Sequence, residues 1–325
     1  MNVSSKYLQS LLNGKGRIYL FLILASLLTL LSINNILFIS DNSLKKTIEQ
    51  EFKTEETSFN LVVLIINLIV ISLILIIVFR FLHIKPVAMS FEFFIFFIPS
   101  LIFFTALLVP YLSNDAFLFN FIPFLFTIII YLFKQKFIFL KDLMTVIASV
   151  GISIMILLVF DISTIFLFSA FLLVYDIVSV FITKHMVFFA ENIVKYNLPM
   201  TVTSYTEIEK EKAKEIIQNE LEKKKIKDDE AEQLLKRIES QEKVISRLDL
   251  GSGDLVMFSV LSVVNYLING FVGLIFSFAI GIYAVDIMLN MLMKRKAVFP
   301  ALVAIIPSMF IAFFLAYLFR IFFPL

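Results

Sequence analysis

The chain reads as an all-α polytopic membrane protein of nine transmembrane helices, with one charged cytoplasmic insertion carrying helices and short strands. Three observations lead there. The sequence is 60% hydrophobic with a mean hydropathy of +0.96, whereas ordinary soluble domains are roughly 45–50% apolar. The apolar residues are gathered into runs long enough for a bilayer core of roughly 30 Å, which takes about 20 residues of helix. Lys and Arg fall on alternate connections between those runs, the asymmetry that orients membrane helices.

Nine runs qualify: 18–40, 60–82, 91–112, 116–133, 143–160, 163–183, 253–269, 271–293 and 299–323, the fourth and seventh being short. Lys6, Lys15 and Arg17 precede the first. Its apolar stretch is too long for a cleaved signal peptide and no small-residue cleavage pattern follows, so it reads as a retained signal anchor. Arg80 at the end of the second run and Lys85 after it mark that connection, Lys134, Lys136 and Lys141 follow the fourth run, and Lys294, Arg295 and Lys296 the eighth. The connections at 113–115, 161–162 and around 270 contain neither Lys nor Arg. Span five ends at Asp161 almost against span six, which predicts a tight turn. In the first outer loop Lys45, Lys46 and Lys53 are accompanied by Asp41, Glu49, Glu51, Glu55 and Glu56. This alternation predicts a multi-pass protein of the cell membrane with a cytoplasmic N-terminus and an external C-terminus. Arg320, near the outer end of span nine, is the exception, and its long stem suits snorkelling to the interface.

The chain thus divides into helices one to six over 1–183, a hydrophilic cytoplasmic loop over 184–250, and helices seven to nine over 251–325. Within the loop, 207–225 reads as helix, and Asp228 or Asp229 caps a second that runs to about Lys243. Ile216, Ile217 and Leu221, then Ala231, Leu234, Leu235 and Ile238, recur at helical spacing. A helical hairpin follows, either a solvated insertion or a docking surface. The flanking stretches 198–203 and 244–248 are rich in β-branched residues and suit two short strands.

Composition also removes function classes. A net charge of +2 argues against a nucleic-acid partner. With no cysteine, structural disulfides, thiolate nucleophiles and Cys-based zinc sites are excluded. Two histidines leave no His-rich metal site. No cofactor or metal is expected, and no phosphate-binding loop, HExxH or Ser/His/Asp arrangement is present.

What remains are two aspartates in costly places. Asp176 lies deep in the apolar run 166–180, directly after Tyr175, and Asp254 opens the seventh run inside Gly251-Ser252-Gly253-Asp254. An ionisable residue in a membrane span marks a functional site by default, and each aspartate is the other's best partner. Asp176 stands eight positions before Lys184, about 12 Å below the cytoplasmic end of its helix. Asp254 lies five positions past Asp249. The two therefore share a side of the membrane and a depth. Two carboxylates in contact do not both ionise readily, so one holds a proton while the other acts as base, which is the chemistry of an aspartic protease. Carboxylates also line ion pathways, and a channel or transporter is the alternative.

The flanking residues discriminate. Tyr175-Asp176, Gly251-Ser252-Gly253-Asp254 and Pro300-Ala301-Leu302 occur in that order in spans six, seven and nine. Together they resemble the YD, GxGD and PAL motifs of the presenilin and signal peptide peptidase family of intramembrane aspartyl proteases. Ser252 stands where Leu is common, and Val303 follows PAL where some members have Pro. The small size and composition resemble an archaeal member. The resemblance implies that Asp176 and Asp254 are catalytic and that the Pro300-Ala301-Leu302 segment lines the site beside the substrate. It further implies an enzyme that cuts membrane-spanning helices, such as remnant signal peptides or single-pass proteins, without an obligatory accessory subunit. Homo-oligomers remain open.

The residues have their own reasons. Gly251 and Gly253 leave room for a substrate chain beside Asp254, or simply punctuate the strand-to-helix junction. Tyr175 suits a hydrogen bond near the dyad or an interfacial anchor, and Pro300 suits a helix's first turn. A substrate helix must unwind to be cut, and its freed backbone groups need partners. The stretch 244–248 is placed to offer a strand edge. Asp286 in span eight suits a pairing with Lys294 or a polar cavity, Asn265, Tyr266 and Asn269 suit interhelical bonds, and His185 suits the membrane edge. The prepilin-type peptidases, a competing enzyme class, also use GxGD, and the YD and PAL motifs and the span count favour the first family. A silent scaffold is disfavoured by the intact dyad.

Overall fold

The computed structural model describes residues 14–39, 66, 85–112, 116–133, 138–182, 201–208, 244–295 and 300–323. Helices α1 (Lys15–Ile39), α2 (Lys85–Leu112), α3 (Ala116–Phe133), α4 (Ile138–Val159) and α5 (Ile162–Ile177) come first. A two-stranded sheet of β1 (Thr201–Ile208) and β2 (Val244–Gly251) follows, and then α6 (Ser252–Arg295) and α7 (Leu302–Phe322). Among the described residues six helices are long and apolar enough to cross a membrane, and α3 adds a shorter apolar helix. The molecule is a mostly helical, polytopic membrane protein. The expected second span at 60–82, the first outer loop, His185 and the hairpin beyond Ile208 lie outside the described residues, apart from Ile66, which is helical; Glu207 and Ile208, expected to open a helix, end strand β1 instead.

Helix α6 is 44 residues long, about 66 Å if straight, or twice the bilayer core. It is not straight. Gly270 has φ 66° and ψ −154°, a region essentially reserved for glycine, and it divides α6 into arms at 252–269 and 271–295. Asn265 Nδ2 donates to the Gly273 carbonyl at 3.0 Å and to Ser277 Oγ at 2.9 Å. Eight residues of unbroken helix rise about 12 Å, so these bonds require the chain to double back. A Cβ on Gly273 would lie 2.3 Å from the Asn265 carbonyl oxygen, which is why the second arm begins its approach with glycine. Arg320 on α7 does more than snorkel: its Nη1 donates to the Ile268 carbonyl at 2.5 Å. That carbonyl belongs to the last turn of the first arm, where acceptors lack helical partners and a cation is favoured.

Two compact units are present, Met1–Leu20 with Thr203–Asp249, and Phe21–Val202 with Leu250–Leu325. In the smaller, Thr203 Oγ1 donates to Asp249 Oδ1 across the strands at 2.6 Å, and Ser204 Oγ donates to the Gly14 carbonyl. The strands run further than the β-branched stretches: β1 begins at Thr201 and ends at Ile208, and β2 continues to Gly251. In the larger unit α2 and α4 cross very closely, for a Cβ on Gly151 would meet the Pro99 carbonyl oxygen at 1.9 Å. Helix α7 packs against both α5 and α6. Phe166 on α5 meets Phe313 at 5.2 Å and Phe310 at 5.7 Å between ring centroids. Side chains such as Phe94, Leu132, Phe271 and Phe314 are exposed on these helices, as hydrocarbon surroundings permit.

Between α4 and α5 the expected tight turn is two residues long. Asp161 is the N-cap of α5, extended at φ −67° and ψ 159°. Its Oδ2 accepts from the Thr164 N–H at 3.1 Å, and Oδ1 accepts from the Thr164 hydroxyl. This cap satisfies one of the orphan donors of the helix start.

Candidate active site

Asp176 is the penultimate residue of α5 and is buried. Directly after it the helix widens into a π-helical turn, Val178–Ile182, a feature often found at functional positions. Ser179 Oγ closes this junction by donating to the Asp176 carbonyl at 2.9 Å. The carboxylate itself reaches another helix, where its Oδ2 accepts from the backbone N–H of Leu302 at 3.3 Å.

That donor is available because of where α7 begins. The first N–H groups of a helix lack intrahelical acceptors. The Val303 and Ala304 N–H groups find the carbonyls of Pro300 and Ala301 at 3.3 and 3.0 Å, and that of Ile305 begins the regular ladder on Ala301 at 3.1 Å. The N-cap residue is Ala301, which has no side chain to offer. Asp176 therefore caps α7 from a neighbouring helix, at the end where the macrodipole favours a carboxylate. Pro300 is buried and lies outside the helical turn it was expected to open, since α7 starts at Leu302.

Asp254 is the third residue of α6. Its Oδ2 reaches back to accept from the Gly251 N–H at 3.2 Å, the third-position half of a capping box. The two glycines of Gly251-Ser252-Gly253-Asp254 differ in environment. A Cβ on Gly251 would sit 3.0 Å from the Asp254 carboxylate oxygen, whereas a Cβ on Gly253 would meet nothing within 4 Å. Gly251 thus keeps space for the carboxylate, and Gly253 borders open, exposed space.

The carboxylates of Asp176 and Asp254 are close enough to interact electrostatically. Among the described residues they share no hydrogen bond, and each accepts from a backbone N–H at a helix start. The structure thus brings together Asp176, Leu302, Gly251 and Asp254. Tyr175, half-buried one residue from Asp176, lies against Phe171 with 6.5 Å between ring centroids. Asp286 accepts from Asn290 Nδ2 at 3.0 Å, one turn on, and the side chain of Lys294 lies outside the described residues. Asn265 and Asn269 make their bonds within the α6 hairpin, with Asn269 Nδ2 donating to Asn265 Oδ1 at 2.8 Å. Two neighbouring carboxylates beside helix-start donors, inside an apolar bundle, are equipped to move protons to and from a water and a carbonyl.

Sequence reading passed over Ser149 and Ser153 of α4. Their hydroxyls lie 3.3 Å from the carbonyls of Ser252 and Val256, on either side of Asp254 in sequence. The signal available was Thr145, Ser149 and Ser153, hydroxyls repeated every fourth residue through an apolar span.

With that geometry in place, comparison with known proteins is direct. The profile of the signal-peptide peptidase, presenilin aspartyl protease family matches residues 19–321. No individually curated protein matches the chain in sequence. In fold the chain is similar to a presenilin family intramembrane aspartate protease solved in space group C222. The TM-score is 0.59 at 14% identity, covering 92% of this chain and 97% of that one. It is similar also to a presenilin family intramembrane aspartate protease solved in space group P2, with a TM-score of 0.54 at 15% identity, covering 91% and 96%.

Proposed function

The chain belongs to the signal-peptide peptidase and presenilin family of intramembrane aspartyl proteases, and on that footing we propose that Asp176 and Asp254 are its catalytic pair. Membership makes it an aspartic-type endopeptidase acting on membrane-helix substrates within the bilayer. The assignment of the pair is carried by one observation: the Leu302 N–H donates to Asp176 Oδ2. This bond joins segments 126 residues apart in sequence and holds a carboxylate that interacts electrostatically with Asp254.

In the proposed reaction one carboxylate takes a proton from water as the water oxygen attacks the scissile carbonyl carbon. The other carboxyl gives its proton to the carbonyl oxygen. The resulting geminal diol collapses, the C–N bond breaks and the leaving nitrogen takes the proton from the first carboxyl. A diol hydroxyl returns a proton to the second. The pair titrates as a unit, and no cofactor or metal enters. Tyr175, Gly251, Gly253, Pro300, Ala301 and Leu302 border the substrate, with Gly253 leaving space for its backbone and the 244–248 strand offering it an edge to pair with.

The topology proposed with this chemistry has nine crossings, counting 60–82 as the second and the two arms of α6 as the seventh and eighth. The N-terminus is cytoplasmic, the C-terminus is external, and 184–250 forms the cytoplasmic insertion. The substrates proposed are remnant signal peptides or single-pass membrane proteins. The enzyme needs no accessory subunit, and a homo-oligomer is compatible with this reading. No observation favours a carboxylate-lined ion pathway. The test is cleavage of a fluorogenic transmembrane peptide by purified protein in detergent. Asp176→Asn and Asp254→Asn each abolish it, and retention of activity by either refutes the pair.

A further inference from the structure

Asp254 needs a fixed position to work with a carboxylate on another helix, and its own helix start supplies only the bond to Gly251. What holds that turn of α6 from behind is α4. Ser149 and Ser153 are both fully buried, one helical turn apart. Their hydroxyls lie 3.3 Å from the carbonyl oxygens of Ser252 and Val256, themselves one turn apart. Both pairs are separated by 103 residues, so they form two rungs in one register. On a helix of 3.6 residues per turn, Asp254 is about 200° from Ser252 and from Val256. The rungs therefore hold the back of the turn whose front carries the carboxylate.

Each hydroxyl has a single proton and a second acceptor in its own helix. Ser149 Oγ lies 2.8 Å from the Thr145 carbonyl, and Ser153 Oγ lies 2.9 Å from the Ser149 carbonyl. The intrahelical acceptor is the nearer, and the proton is shared with the one across the interface. Two consequences follow. Removing the hydroxyls leaves no orphan acceptor on α6, because the Ser252 and Val256 carbonyls keep their helical N–H partners. Stability therefore changes little, as measured interhelical bonds in membranes lead one to expect. Register is another matter, since a slide of α6 by one residue along α4 moves Asp254 by about 1.5 Å, and misplacing a reacting group by about 1 Å costs up to ~100-fold in rate.

We propose that Ser149 and Ser153 are positioning residues for Asp254, a two-rung rail that sets the register of α6 on α4; the inference rests on the assignment of Asp254 as catalytic. The test uses the full chain in detergent with the fluorogenic transmembrane peptide, comparing wild type, Ser149→Ala, Ser153→Ala and the double variant. Ser26→Ala serves as control, being a buried hydroxyl bonded to its own helix at the Leu22 carbonyl. The double variant is expected to lose about tenfold in kcat with KM within about twofold, each single variant losing less. Its melting temperature stays within about 2 °C of wild type. The limbs of its kcat–pH profile shift, because the coupling of two carboxylates depends on their separation. Ser26→Ala changes none of these. A wild-type kcat in the double variant overturns the rail. So does a loss that merely tracks the fraction of folded protein, or a loss with an unmoved pH profile. Asp254→Asn separates the two readings: if it still cleaves, the catalytic assignment has failed; if it is inactive while the double serine variant is wild type, only the rail has failed.

Discussion

Replacing Gly151 by Ala pushes one membrane helix off another by a calculable amount. The new Cβ would lie 1.9 Å from the Pro99 carbonyl oxygen, 2.5 Å from its carbon and 3.0 Å from its Cα. All three are backbone atoms, so no side-chain rotation relieves the overlap. Ordinary contact begins near 3.4 Å, and α2 and α4 must therefore part by about 1.5 Å. Overpacking of a well-filled interior costs ~1–3 kcal/mol, with rigid neighbours at the upper end. At about 3 kcal/mol the melting temperature falls by roughly 5–10 °C. Gly281 is the comparison. Its Cβ would meet Met309 Cε at 2.6 Å and the Phe258 ring at 2.7 Å, and Met309 has rotatable bonds with which to yield. Gly281→Ala is expected to cost at most half as much. Because Gly151 lies between Ser149 and Ser153 but about half a turn from each, displacement of α4 from α2 is transmitted toward α6. Cleavage by Gly151→Ala should fall even well below its melting transition. The assay pairs thermal unfolding in detergent with kcat at a temperature where both proteins are folded. A Gly151→Ala melting temperature within about 2 °C of wild type refutes the close crossing.

Three further outcomes are expected. Gly253→Ala retains the wild-type melting temperature and loses cleavage, since its Cβ meets nothing in the fold and projects where the substrate is proposed to pass; full activity would remove the glycine from the substrate path. Arg320→Gln lowers the melting temperature by about 2–4 °C through loss of a charge-assisted bond worth ~1 kcal/mol at a helix end, and Arg320→Lys recovers part of it; equal melting of all three proteins would reduce Arg320 to an interfacial charge. Proline at Ile245 or Arg247 removes a strand N–H and is expected to slow cleavage while the long helices remain folded by circular dichroism; undiminished cleavage would end the strand-pairing proposal.

The helices and the motif residues were legible because hydropathy runs and short spacings are local. The break at Gly270 was readable as a basic-free gap between two apolar runs, and the cap at Asp161 as a turn. What composition could not show is which helices touch. The 60% apolar content gives every span a similar face, and partner choice then rests on close approaches such as Gly151 against Pro99. It rests also on backbone donors, which any residue but proline carries. The Leu302 N–H is invisible to a reading by side-chain type, as are the Ser252 and Val256 carbonyls. For Arg320 the charge pointed to the interface, and the exposed carbonyl of Ile268 at a helix end is the acceptor that residue types could not name.

That both aspartates are held by backbone N–H groups explains what the motifs are made of. A side-chain donor would have to be specified by residue type, and its loss would free the carboxylate. A main-chain donor leaves residue type to be decided by space. Gly251 donates to Asp254 as any residue but proline would, but with a Cβ it would crowd the oxygen it binds, 3.0 Å away. At the start of α7 the N–H groups of Val303 and Ala304 are taken by the carbonyls of Pro300 and Ala301, and the N–H of Leu302, which an N-cap side chain does not reach, is left for Asp176. The small residues around the pair withhold competitors for space and for hydrogen bonds, and the carboxylates take the helix-start donors that remain. Substituting Ala301 by Ser or Asp would address the N–H groups of Val303 and Ala304 and leave the Leu302 donor to Asp176 in place. By the same logic, Gly251→Ala would leave the donor in place and displace the acceptor.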